Sequence, residues 1–157
     1  KFFITEKDDS TSLYHKMTEI GKKMIIKNLG KFENNCATRT KQLQSNFIET
    51  WKKRTPEDGF VDWSKTSKDI HKLIRASTFP YPGASTFFKQ SKITIWKSSI
   101  IEQKNSPGII SNVDLNGVLI GTGNGSILVT SISVNDEKKI NPMSFFSNND
   151  VGSLLGD

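Results

Sequence analysis

Hydrophobic positions along the chain follow one period in the first half and another in the second. Leu13, Met17, Ile20 and Met24 recur at spacings of four, three and four, which predicts a helix with one apolar face. Ser10 or Thr11 can cap its start, and Gly30 can end it because glycine accepts left-handed backbone. A second helix is predicted from Ser64 to Ser77, with Ser64 as cap, or Thr66 and Asp69 as an alternative capping box. Ile70, Leu73 and Ile74 form its apolar face, and Pro80 stops it. The residues between the helices, 31 to 53, are rich in Asn, Thr, Gln and Lys and read as an irregular linker, with Phe47 and Trp51 as packing anchors.

After Ala84 the pattern becomes extended. Ile93 to Ile101 is rich in β-branched and aromatic residues, and further strands are predicted for Gly108 to Val113, Val118 to Thr122 and Ser126 to Ser133. Asn116-Gly117 and Asn124-Gly125 mark tight turns because both residue types tolerate positive φ. Short strands at this spacing imply a small barrel. Pro80-Tyr81-Pro82-Gly83 forms a stiff corner between the second helix and the strands, and holds Tyr81 in a defined direction.

The 157 residues suffice for one domain, or for a smaller domain with an appended fragment. No apolar run approaches the roughly 18 residues of a membrane span, so no membrane partner is expected and the expected location is cytoplasmic. A single cysteine, Cys36, cannot form an internal disulfide, and it lies in a polar stretch without a nearby His. Net charge divides unevenly. Residues 1 to 82 hold 16 Lys and Arg against 10 Asp and Glu, whereas residues 83 to 157 hold 6 of each. The strand-rich half is therefore neutral overall, which weakens a nucleic-acid reading; Lys89, Lys92 and Lys97 are the lysines able to share a face there.

Candidate chemistry concentrates in the linker and the corner. Arg54 and Arg75 are permanently charged planar forks suited to phosphate or carboxylate. Arg54 can instead brace its turn against Glu57 or Asp58, and Arg75 can answer a helix dipole. Asp58 and Asp62 lack the His or clustered acids of a metal or catalytic pair and read as turn and cap residues. Lys16, Lys23, Lys27 and Lys31 form a solvated helix face, with His15 a surface histidine beside it. Gly121, Gly123 and Gly125 lie between strands, so they serve a hairpin rather than a dinucleotide loop.

Four short motifs stand in order: Lys53-Arg54-Thr55-Pro56-Glu57-Asp58-Gly59, Asp62-Trp63-Ser64, Ile74-Arg75-Ala76 and Pro80-Tyr81-Pro82-Gly83-Ala84. The series resembles the linker and C-terminal domain entry of the folate-dependent formyltransferases, the family of methionyl-tRNA and amino-sugar N-formyltransferases. Asp9 to Tyr14 resembles the start of the last helix of that family's N-terminal Rossmann-like domain. Pro107-Gly108, Asn124-Gly125, Lys138-Lys139 and Gly152-Ser153-Leu154-Leu155-Gly156 follow its C-terminal domain. Ser85 departs from the family, which places Phe there; Phe87 or Phe88 is expected to fill that volume.

The resemblance implies a mainly β fold with helices: a small OB-like β-barrel preceded by a helical linker and the last helix of a truncated Rossmann-like domain, with a short helix near Pro142 to Phe146. The implied division is 1–31 for the Rossmann-domain helix, 32–63 for the interdomain linker and 64–157 for the barrel domain. It implies transfer of a formyl group from 10-formyltetrahydrofolate to an amine, with catalytic Asn, His and Asp supplied by a missing N-terminal Rossmann-like domain. This chain then contributes no catalytic residue or metal ligand, and binds no folate alone. Arg54, Thr55, Pro56, Asp58, Arg75 and Tyr81 shape the acceptor side. The acceptor is a nucleotide-linked amino sugar, with initiator tRNA as the alternative; a non-catalytic OB-type binding module is the reading from another class.

Overall fold

The computed structural model describes residues 2–41 and 52–156; the anticipated anchors Phe47 and Trp51 lie outside them. Helix α1 (Ser10–Glu33) is followed by a 3-10 turn (Pro56–Gly59) and helix α2 (Ser67–Ser77). The strands are β1 (Ala84–Phe88), β2 (Ser91–Ile101), β3 (Ile110–Asp114), β4 (Gly117–Gly121) and β5 (Ser126–Val134). Two more 3-10 turns, Pro142–Ser144 and Asn148–Asp150, complete the chain, the first at the start of the anticipated short helix.

The ends of α1 differ from expectation, whereas α2 ends at Ser77 as expected and starts at the alternative cap, Thr66 with Asp69. Asp9, not Ser10 or Thr11, caps α1: its carboxylate accepts from Ser12 N at 2.8 Å while the Ser12 hydroxyl accepts from Asp9 N at 3.1 Å. Gly30 does not end the helix, because Asn34 provides the cap and sends both its backbone N–H and its side-chain amide to the Gly30 carbonyl. Helix α2 begins after Thr66, whose hydroxyl accepts from Asp69 N, since Ser64 is already held by Asp62 Oδ1 at 3.0 and 2.6 Å.

The apolar stripe of α1 predicts the helix correctly, but among the described residues none of it is fully buried: Leu13 and Ile20 are half-buried, and Met17 and Met24 are 62% and 61% exposed. What holds α1 is polar and sits at its N-terminal end. The Ser10 hydroxyl donates to the Thr78 carbonyl at 2.7 Å and the Thr11 hydroxyl to Phe79 O. Asp8 anchors the approach, accepting from Lys16 Nζ at 2.7 Å, Thr5 N at 2.8 Å and the Ser12 hydroxyl at 2.8 Å.

All strand pairings are antiparallel, in the order β1-β2-β5-β4-β3. Strand β1 had no sequence signal of its own, and the turn after it uses Lys89 and Gln90 at φ 46° and 55° without glycine or asparagine. At Asn124-Gly125 only the glycine takes positive φ. Ser85 is buried in β1; of the two candidates to fill its neighbourhood, Phe88 is buried against Phe145 and Phe146, whereas Phe87 stacks on Phe60 at the surface.

One face of the sheet forms the core with Ile93, Ile95, Ile110, Val118, Ile120, Ile127, Val129 and Ile132, and Ile70 and Ile74 of α2 plug it. Its two edge strands are closed from outside the ladder. The C-terminal segment reaches β3 through Ile110 N to Ser153 O at 3.0 Å and reaches β1 through Gly156 N to Phe87 O at 2.9 Å. The linker adds Val61 N to Ser85 O at 2.8 Å. Trp63, buried beneath this seam, donates its indole N–H to Thr86 Oγ1 at 3.1 Å.

Trp63→Phe keeps most of the ring but orphans the buried Thr86 hydroxyl, so unfolding free energy should fall by about 1–3 kcal/mol in chemical denaturation. A second expectation concerns acid. Lys16, Thr5 and Ser12 hold the Asp8 carboxyl well below the ordinary carboxylate range, Lys16 most strongly. Its stabilisation is complete above the unfolded value of about 3.9 and is lost as pH falls towards the depressed folded value. Asp8→Asn should therefore flatten the acid limb of the melting-temperature profile.

Candidate functional site

The 3-10 turn Pro56–Gly59 follows from its own residues. Pro56 fixes φ at the first helical position, and Asp58 Oδ2 accepts from Thr55 N at 2.7 Å, closing a capping box. The Thr55 hydroxyl bonds the Glu57 carboxyl and, more than any other group, holds it below its ordinary value. Asp58 thus has its carboxylate engaged in the turn, as its sequence context suggested. Asp62 behaves likewise: Ser64, through hydroxyl and backbone, keeps its carboxyl depressed.

This turn packs backbone to backbone on the proline-rich corner. A Cβ on Gly59 would stand 2.9 Å from the Gly83 carbonyl oxygen, and Gly83 itself takes φ +88° with Trp96 and Thr94 beneath it. Only two glycines permit that approach. The groove between turn and corner is a cavity of about 490 Å³, floored by Pro56, Gly59, Ala76, Pro82 and Gly83 and edged by Tyr81 and Arg54.

Five of the six residues singled out from the sequence line this one groove: Arg54, Thr55, Pro56, Asp58 and Tyr81. Lys53, which sequence reasoning passed over, lines it too and places a second cation beside Arg54. Its position next to Arg54 was the available signal. Arg54 is exposed and, among the described residues, forms no ion pair with Glu57 or Asp58. A planar guanidinium at the mouth of an apolar groove can take an anionic group bidentately while the groove accepts the attached apolar portion.

Arg75 stands apart from the groove. Its guanidinium donates to the carbonyls of Glu6 and of Asp8, the latter at 2.6 Å, and so ties the segment before α1 to α2. The next depression along the fold contains Arg75 with His71, whose Nδ1 lies 3.0 Å from the Ser98 hydroxyl. Burial, and secondarily the charge of Arg75, depress the His71 imidazole below its ordinary value. Among the described residues no group of three His, Cys, Asp or Glu side chains is placed to hold a metal, and no helix is long and apolar enough to cross a membrane.

Residues 53–150 match the family model described as "Formyl transferase, C-terminal domain". Methionyl-tRNA formyltransferase of Ruminiclostridium cellulolyticum is 35% identical over 108 residues, covering 65% of this chain and 34% of the relative. The bifunctional polymyxin resistance protein ArnA of Wigglesworthia glossinidia brevipalpis is 38% identical over 110 residues, covering 69% of this chain and 17% of its own length. The chain thus spans at most about a third of either relative. Among solved structures, HypX from Aquifex aeolicus in complex with tetrahydrofolic acid superposes with a TM-score of 0.73 over 90% of this chain and 25% of that one. At 23% identity, that likeness is one of fold.

The groove's geometry makes a paired prediction at glycines. Gly59→Ala forces turn and corner apart and should cost about 1–3 kcal/mol, as other overpacked contacts do. Gly21→Ala, in open space within α1, should instead raise stability by roughly 0.5–1 kcal/mol. Denaturant titration of the two variants checks both signs.

Proposed function

We propose, for a chain that belongs to the formyl transferase C-terminal domain family, that it forms the acceptor side of an enzyme transferring a formyl group from 10-formyltetrahydrofolate to the amine of a nucleotide-linked amino sugar. The observation that carries this reading is the convergence of Arg54 with Thr55, Pro56, Asp58 and Tyr81 on one groove. A nucleotide sugar joins a diphosphate to ring systems, and Arg54 with Lys53 offers charge for the first while Tyr81 and the prolines offer surface for the second. Arg75 supports the acceptor side indirectly, by tying the α1 segment to the helix that forms one wall of the groove. In the full enzyme, residues 1–31 would close the N-terminal catalytic domain, 32–63 would link the domains and 64–157 would form the C-terminal one.

The folate donor does not fit the groove as described. A pterin needs an ordered array of donors and acceptors along its edge, whereas much of this lining is Pro56, Gly59, Ala76, Pro82 and Gly83, and Asp58 Oδ2 is engaged in its own turn. Donor binding and proton handling at the amine fall to the catalytic domain of the longer enzyme. Initiator tRNA is the second acceptor reading, supported by the methionyl-tRNA formyltransferases among the relatives.

Arg54→Lys tests the reading because it keeps the charge and removes the planar fork. Calorimetric affinity of the chain for a uridine diphosphate-linked amino sugar should fall by roughly tenfold, the scale of one lost charge-assisted hydrogen bond. The melting temperature should move little. Unchanged sugar-nucleotide affinity, or initiator-selective tRNA binding that persists at physiological salt, overturns the amino-sugar assignment.

A further inference from the structure

A second depression, of about 360 Å³, lies on the other side of the Phe79 corner from the Arg54 groove, between the N-terminus of α1 and strands β2 and β5. It gathers His15, Lys97 and Lys139 with the hydroxyl residues Thr11, Ser12 and Ser131 around Trp96. The concentration of charge is selective. Of the six lysines in the neutral half of the chain, Lys89 is paired with Asp150 at 2.6 Å and Lys92 with Asp136 at 3.0 Å. Of the four with no carboxylate partner among the described residues, Lys97 and Lys139 line this depression, and Lys104 and Lys138 do not. Asp9, the one acid in the lining, gives its Oδ1 to the cap of α1 at 2.8 Å.

The site is organised by the fold rather than by chance proximity of surface lysines. An irregularity in the β2–β5 register at Ile95/Lys97 leaves Trp96 unpaired and turns it out of the ladder. Its indole N–H is then fixed on Ser133 Oγ at 2.8 Å, and Lys139 Nζ sits 4.0 Å from the ring centroid. Thr11 and Ser12 stand in the first turn of α1, where the Asp9 carboxylate already accepts from Ser12 N. Two lysines and a histidine therefore line one small volume.

We propose that this depression is a phosphate site, distinct from the Arg54 groove, that takes the diphosphate or terminal phosphate of a small ligand. A compact cluster suits one phosphorylated group. A nucleic-acid track needs cations strung along a path, and Lys92 on β2 and Lys89 in the turn before it are held in ion pairs. Lys139 would leave the Trp96 face to meet the anion, which makes the indole a reporter of binding.

Inorganic pyrophosphate is the probe, titrated into the chain while the Trp96 indole and His15 ring signals are followed by NMR. Saturable binding is expected, with both signals moving together. The double variant Lys97→Gln/Lys139→Gln should weaken it by about tenfold or more, whereas Lys104→Gln should leave it unchanged. Measuring the same titration on Arg54→Lys separates this site from the groove, since pyrophosphate binding here should survive that substitution. Shifts that fail to saturate, or that are indifferent to the double variant, overturn the proposal. So does a structured RNA that binds through Lys97 and Lys139 with a steep salt dependence while pyrophosphate does not saturate.

Discussion

The outer edge of β1 is the constraint on which the rest of the molecule depends. A five-stranded sheet in the order β1-β2-β5-β4-β3 leaves two edges with unspent backbone donors and acceptors, and such edges invite aggregation unless covered. Here β1 is covered by chain that precedes it and chain that follows it: Val61 N bonds Ser85 O, and Gly156 N bonds Phe87 O. Because Gly59 and Phe60 immediately precede the first of these bonds, the edge also decides where the Pro56–Gly59 turn lies. The groove is thus a consequence of edge closure, and the close approach of Gly59 to Gly83 sets its width.

Polar residues divide by whether the fold has already used them. Arg75 looks like a ligand-binding fork in the sequence, yet its guanidinium is bonded to main-chain carbonyls of the segment before α1. Asp58, Asp62 and Asp69 each accept from neighbours within three residues and stabilise the starts of local turns and helices. Asp150 does the same at the C-terminal end, bonding Ser147 N at 2.9 Å while pairing with Lys89. Among the cations outside such pairs, Arg54 and Lys53 line one depression and Lys97 and Lys139 another.

Trp96 links those two places physically. Its ring lies about 3.2 Å from where a Cβ on Gly83 would stand, beneath the groove, and its face carries Lys139 in the neighbouring depression. The bulge that frees it from the ladder is the kind of irregularity that re-aims a side chain at the rim of a sheet. Thr78 O and Phe79 O, which receive the Ser10 and Thr11 hydroxyls, belong to the same corner, so α1 is anchored beside both depressions.

Features that depend on neighbours in the chain are legible in the sequence. Helix periodicity marked α1 and α2, β-branched runs marked β2 to β5, and the ordered motifs from Lys53 to Ala84 marked the family and most of the groove. Only the tertiary structure decided the rest. Strand β1 was illegible because its identity comes from pairing with β2 and from the chain that covers its edge, not from five residues of local propensity. The exposure of the α1 stripe was equally hidden, since an apolar period specifies a helix and a face but not what the face meets. Whether an arginine is free or a lysine paired depends on charges distant in sequence. Arg75 finds carbonyls more than sixty residues away, and Lys89 finds Asp150 sixty-one residues away, so the local pattern held no record of either.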